Sequence, residues 1–416
     1  MAGKSFEGVR LCMYEHISYQ SARELAAQRV APVAAERMPL EDCAGRVLAE
    51  DLTAGSDVPP FDRSPYDGYA FRSRDSEGAG PESPVTLRIL EEIPAGGASH
   101  IPVTEGTAVK ILTGAPIPPG ADAVVKWEDT KCTAGTVTLF HPARSGANIV
   151  PAGEDVKAGT VLAAAGSVID AGLLGILAGQ NAAGPLVYRI PRVGIISTGG
   201  ELTDAGRPLS PGKIYNSSRY ALAAALKELG CEPVWLGAVD DDAGAICERI
   251  GKGLDGCDAL VLTGGVSAGD YDLTPDAMAL AGAELLFRGV DFKPGMACAY
   301  AVRDGKPLCG LSGNPAAALT NFYAIAAPAL RKLCGRRNFM PEEITLALKA
   351  PFCKKSPVTR LLRGRLRLSA GYAELELSGN QANGSLSSAV GWNAIAVIPA
   401  GSGPLDAGTK LKGFLL

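Results

Sequence analysis

Two textures of apolar and polar positions alternate along this chain, and the change between them marks its organisation. Between Arg189 and Arg337, short apolar runs at 193–196, 233–236, 259–262, 287–292 and 307–311 read as strands. Segments 218–229, stopped by Gly230, and 243–251 read as helices between them, and a longer helix follows Pro315. Such alternation predicts a largely parallel sheet covered on both faces. The flanking regions differ. From about 57 to 141 the pattern is one of Pro- and Gly-punctuated short strands, such as 85–90 and 108–112, as in a small β-rich domain. Residues 18–30 read as a helix, with Ser18 at its N-cap, Ala22, Leu25 and Ala26 on one face, and Pro32 beyond its end. Residues 147–168 are again strand-like, and an apolar helix follows at about 171–180. Beyond Pro341, strands at 344–348, 366–368, 373–377 and 394–398 predict a C-terminal β-barrel or sandwich.

Three of the central strands run into Gly-rich turns: Ser197-Thr198-Gly199-Gly200-Glu201, Thr263-Gly264-Gly265-Val266-Ser267 and Leu311-Ser312-Gly313-Asn314-Pro315. In an open α/β sheet, ligands bind beyond the strand C-termini. Glycine there admits close backbone approach, and main-chain N–H groups of Gly264, Gly265, Ser267 and Gly269 are expected to surround ligand oxygens. One such turn is ordinary strand–helix punctuation; three on one edge predict a binding site. Glu201, the run Asp240-Asp241-Asp242 and Asp272 follow three of the central strands and can face one cavity, where Mg²⁺ or a similar divalent cation would meet carboxylate oxygen and substrate phosphate; the pattern alone does not single out one member of the run.

Composition narrows the classes. At 416 residues the chain needs two to four units. A net charge of −4 gives no general attraction to nucleic acid or an anionic membrane. Ten cysteines without a C-x-x-C pair fit reduced thiols in a cytoplasmic protein, and no stretch of about 18 apolar residues suggests a membrane span. His16, His100 and His141 are the only histidines and all lie outside the glycine-turn segments. That makes a Ser-His-Asp or Cys-His mechanism a poor fit, and leaves carboxylates, lysine, backbone amides and a cation to carry any chemistry.

The chain resembles the molybdopterin molybdenumtransferase family, which includes MoeA and the E domain of gephyrin. The resemblance rests on Pro59-Pro60-Phe61-Asp62-Arg63-Ser64-Pro65-Tyr66-Asp67-Gly68-Tyr69-Ala70, on Leu112-Thr113-Gly114-Ala115-Pro116, and on Gly120 to Val125 and Gly153-Glu154-Asp155. Residues Ser197 to Leu202, Gly264 to Asp272, Lys293-Pro294-Gly295 and Gly313-Asn314-Pro315 complete it. It implies a multidomain α/β plus β fold. The parts are an N-terminal helix (1–30) associated with the α/β domain, a linking domain (31–55 and 147–185), a β-rich insertion domain (56–146), a three-layer molybdopterin-binding α/β domain (186–338) and a C-terminal β-barrel (339–416). It implies insertion of molybdate into adenylylated molybdopterin with Mg²⁺. It further implies a homodimer whose cleft takes the α/β domain from one subunit and Asp67 and Thr113 from the other, with other molybdenum cofactor biosynthesis proteins as possible partners. Carried over residue by residue, Asp67, Thr113, Glu201, Asp241, Asp272 and Lys293 are the catalytic candidates. Thr198, Gly264, Gly265, Ser267, Gly269, Ser312, Gly313, Asn314 and Pro315 are the substrate-binding candidates, and Glu201, Asp241 and Asp272 the metal ligands.

Departures from the family pattern cluster around the oxyanion. Relatives usually continue Lys-Pro-Gly-Lys-Pro where this chain has Met296-Ala297, and Val358 stands where Arg is common, with Arg360 and Arg363 close by. Gly200 replaces the usual Asp or Asn, and the usual Gln-Gly-Ser becomes Gln381-Ala382-Asn383-Gly384-Ser385. These departures favour two alternatives, a non-catalytic molybdopterin-binding scaffold or a tungstate-preferring transferase. In the leading reading Lys293, with Arg360 or Arg363, carries the oxyanion's charge.

Overall fold

A seven-stranded sheet organises the segments that carry the three glycine turns. In the computed structural model, residues 14–267, 273–369 and 372–416 are described. The strands are β1 (Tyr14–Ile17), β2 (Arg192–Thr198), β3 (Glu232–Val239), β4 (Ala259–Thr263), β5 (Glu284–Val290), β6 (Cys298–Arg303) and β7 (Lys306–Leu311), in the spatial order β1-β5-β6-β7-β4-β2-β3. Only β6 runs antiparallel to its neighbours; every other pair is parallel. The largely parallel sheet of the sequence reading is therefore present, with two strands that reading lacked. Strand β6 is joined to β7 by a hairpin whose Asp304 and Gly305 both take positive φ, the geometry for which Asp-Gly is selected. The run expected at 287–292 divides: β5 ends at Val290, and Phe292–Lys293 leaves for a different sheet.

Burial on both faces explains why these strands read as continuous apolar runs. Along β4, Ala259 and Val261 face one core with Ile195, Phe287, Leu226 and Phe322, whereas Leu260 and Leu262 face another with Ile246, Ile250 and Met278. Helices start where polar side chains take the first free amides. Ser18 accepts from Ser21 N at 3.1 Å, Asn216 from Arg219 N at 3.1 Å and Asp242 from Ala245 N at 2.8 Å. The helix after the third turn continues from Pro315–Asn321 through a π-helical segment, Phe322–Ala326, into Ala327–Leu333.

The C-terminal strands close into a five-stranded barrel. Thr359–Ser369 pairs with both Tyr372–Leu377 and Ala394–Ile398, and Glu343–Leu348 and Lys410–Leu415 complete the ring. Leu346, Leu362, Leu375 and Ala396 fill it. The sequence reading had only residues 366–368, toward the C-terminal end of Thr359–Ser369, and lacked Lys410–Leu415. Phe292–Lys293 adds to the barrel sheet alongside Thr359 and Arg360.

Asp51–Ala164 with Gly172–Ala183 forms a separate compact unit. Its six-stranded sheet contains Gly68–Phe71, between Ala123–Lys126 and Thr107–Ile111, with Tyr69, Phe71, Leu87 and Val137 in the core. No helix among the described residues is long and apolar enough to cross a membrane.

Candidate functional site

Because β7, β4 and β2 are adjacent, the turns that follow them open onto one cleft of ≈ 880 Å³. Its floor is a buried polar network. Asn216 Nδ2 and Thr263 Oγ1 both donate to Ser197 Oγ, at 3.0 and 3.2 Å, and Thr198 Oγ1 donates to the Thr263 carbonyl at 3.3 Å. The turns themselves are not equivalent. Gly264 sits at φ +97, and a Cβ there would lie 2.4 Å from Thr198 Oγ1. Its amide donates to the Leu311 carbonyl at 3.0 Å, so the expectation that this N–H faces ligand oxygens is corrected: sheet closure uses it. Gly313 has ordinary backbone geometry and only a 3.7 Å neighbour.

Of the residues singled out from the sequence, Thr198, Glu201, Asp241, Gly264, Gly265, Ser267, Lys293, Ser312, Gly313, Asn314 and Pro315 line this cleft. Gly269 and Asp272 lie outside the described residues. The Asp240-Asp241-Asp242 run resolves by role: Asp242 caps its helix, while Asp241 reaches the cleft. Glu201 folds back over Gly199, so two carboxylates border the same space. Among the described residues no cluster of three metal-ligating side chains forms. Two carboxylates beside an anionic substrate nevertheless suit Mg²⁺, which is commonly held by about one or two carboxylates, retained waters and substrate phosphate.

Lys293 is mounted from behind. Its strand pairs with Thr359–Arg360 of the barrel sheet, and buried Asn321 donates to the Gly295 carbonyl at 2.8 Å while accepting from Tyr300 Oη at 2.8 Å. The arginines expected to assist it do not line the cleft. Arg363 is 0 % exposed; its guanidinium donates to Ser388 Oγ, Thr320 Oγ1 and the Ala382 carbonyl. Burial lowers its pKa to about 10. Arg360 donates to Ser356 Oγ and lies over the Phe352 ring. Asn383 does border the cleft, and its carbonyl accepts from Ala317 N at the start of the helix.

The histidine reading is corrected too. His16 lines the same cleft as the glycine turns, because β1 adds to the edge of the sheet beside β5. Arg288 reaches it as well, its Nη2 donating to the Ser267 carbonyl at 3.0 Å. His16 had no sequence signal, since a four-residue edge strand carries too little periodicity to register, and Arg288 lay within the expected strand at 287–292 without being singled out. Asn216 could have been found from its position ahead of a helical pattern. Asp67 and Thr113 belong to the other compact unit. There the Asp67 carboxylate accepts from both Thr113 N and Thr113 Oγ1 at 2.7 Å, and these donors hold its carboxyl below the usual carboxylate range.

Comparison with known proteins accounts for this architecture. The chain matches the family models of the MoeA N-terminal region (domain I and II) over residues 17–180, a probable molybdopterin binding domain over 194–332, and the MoeA C-terminal region (domain IV) over 345–415. The chain belongs to the MoeA family. It is 37% identical over 369 residues to the molybdopterin molybdenumtransferase of Staphylococcus aureus, covering 89% of this chain and 88% of that one. With the enzyme of the same name from Staphylococcus epidermidis the identity is 36% over the same length. The molybdopterin biosynthesis MoeA protein from Pyrococcus horikosii superposes with a TM-score of 0.84 at 31% identity, covering 96% of this chain and 99% of that one. As a MoeA-family member, the chain has its three glycine turns in the region that matches the probable molybdopterin binding domain.

Proposed function

We propose that this chain is a molybdopterin molybdenumtransferase, inserting molybdate into adenylylated molybdopterin to yield molybdenum cofactor and AMP. The carrying observation is that the three glycine turns, Glu201, Asp241 and Lys293 border a single cleft. The chain's own groups divide the work. The turns admit a flat ligand to the backbone, and Lys293 presents a fixed positive charge to an oxyanion. Glu201 and Asp241 would hold Mg²⁺, which when bound supplies positive charge against a substrate phosphate. Full-length relatives named as transferases favour this reading over a non-catalytic scaffold.

The finer assembly is part of the same proposal. Two copies would pair in the cytoplasm, with Asp67 and Thr113 of one subunit completing the other's cleft. Purified protein given adenylylated molybdopterin, Mg²⁺ and either molybdate or tungstate should release AMP. Absence of release above a heat-inactivated control overturns the assignment. Mixing an Asp67→Ala subunit with a Glu201→Ala subunit should restore part of the lost activity; verified heterodimers that stay inactive rule out a shared cleft.

A further inference from the structure

Charge along the cleft is uneven: both cations lie toward the β5 end, where Glu15 of β1 is the carboxylate beside them among the described lining residues. Asp241 follows β3 and Glu201 follows β2, at one margin of the sheet, whereas Arg288 stands on β5 and Lys293 just beyond it. Five strand positions separate β3 from β5, roughly 24 Å at the usual interstrand spacing. A cation held by Glu201 and Asp241 would sit toward the opposite margin of the sheet from an anionic group bound beside Arg288. An anion at the β5 end must be met by the protein's own positive charge and hydrogen-bond donors, because a partly desolvated cleft gives it little water.

That end is built from three pieces that meet closely. Arg288 pairs in register with Glu15 of β1, and Val290 N donates to the Met296 carbonyl at 3.0 Å, drawing the 293–297 loop against β5. Between them lies His16. Its φ is +52, an uncommon conformation for a residue with a side chain, and Gly289 beside it is at φ +77. A Cβ on Gly289 would lie 2.9 Å from the His16 imidazole, so glycine at 289 makes room for the ring. Held backbone strain of this kind occurs where a side chain must be aimed. Met296, which also lines this end, offers no charge.

We propose that His16 and Arg288, together with Lys293, form an oxyanion-recognising end of the cleft that works without a bridging metal. This rests on the transferase reading and deepens it. The bound group is a tetrahedral oxyanion, either molybdate itself or a phosphate of adenylylated molybdopterin. The guanidinium supplies planar paired donors, His16 a ring N–H, and Lys293 a point charge.

Calorimetric titration with EDTA present separates the sources, using molybdate in one arm and adenylylated molybdopterin in the other. Arg288→Gln should weaken one of the two by at least about tenfold, the usual loss for a charge-assisted hydrogen bond. Arg288→Lys should recover part of that loss, and His16→Ala should cost about fivefold, as for a neutral hydrogen bond. The arm that responds names the source. Unchanged binding in both arms overturns the proposal. So does an equal loss in Arg288→Lys and Arg288→Gln accompanied by a lower melting temperature, which would mean that Arg288 only anchors the Ser267 loop. If the parent binds oxyanion in this manner but never releases AMP, it is the transferase reading that fails.

Discussion

Replacing Gly264 by alanine tests whether the second glycine turn is shaped by packing or by ligand approach. At φ +97 an L side chain is strained, at a cost of about 1–3 kcal/mol. The new methyl would also stand 2.4 Å from Thr198 Oγ1 and 2.7 Å from the Thr198 carbonyl. Thr198 is 4 % exposed and tied to Thr263, so it cannot swing away, and overpacking adds about another 1–3 kcal/mol. The sum is about 2–6 kcal/mol, or at least roughly 4 °C in the unfolding transition of this unit. Gly313→Ala is the control. With ordinary φ and only a 3.7 Å contact, it should change stability by no more than about 0.5 kcal/mol while placing a methyl where ligand would lie. Calorimetric melting of both variants without ligand, followed by titration with adenylylated molybdopterin, separates the effects. A Gly264→Ala protein that melts with the parent would refute the packing argument. A Gly313→Ala protein that melts far below it would show that the third turn is equally constrained.

Two further outcomes follow from neighbouring residues. Asp241→Asn should cut AMP release steeply, most of all at limiting Mg²⁺, with little change in melting. Asp242→Ala should instead lose about 1 kcal/mol of helix capping and keep its turnover; the reverse pattern would reassign the run. In the second unit, Thr113→Val deletes the hydroxyl donor but keeps the amide, so the Asp67 carboxyl should titrate closer to the ordinary range. Because the folded pKa is depressed, the stabilisation from this link is present above the unfolded carboxylate pKa and is lost as pH falls through the folded value. An NMR titration of Asp67 that does not move in the variant would contradict the hydrogen-bond cause.

What the chain discloses without coordinates follows from how local each signal is. β4 is recognisable because all five of its residues are buried, and its alternating faces leave an unbroken apolar run. The cap at Asp242 and the turns at Gly199 and Gly264 carry their chemistry in adjacent residues. Arg363 misleads because proximity in sequence to the cleft's lysine-bearing partner strand says nothing about direction. Its side chain points into a buried pocket formed by Thr320, Ala382 and Ser388. His16 and Arg288 stay hidden because their meeting depends on a non-local pairing across more than half the chain. The Asp304-Gly305 hairpin was legible in principle, and it would have separated β6 from β7.

The pairing of Phe292–Lys293 with Thr359–Arg360 has an evolutionary consequence. The barrel looks like a detachable module, yet one of its sheet positions is occupied by the segment that ends in the cleft lysine. A polypeptide terminated near residue 338 would lose the backbone partner of Lys293 as well as the barrel. Exchanging this barrel for that of a distant relative would likewise alter how the lysine is held, even with every cleft residue untouched. Lineages should therefore inherit the two segments as one unit, and recombination between them should be tolerated only when the 359–360 strand comes from a chain whose 292–293 strand fits it.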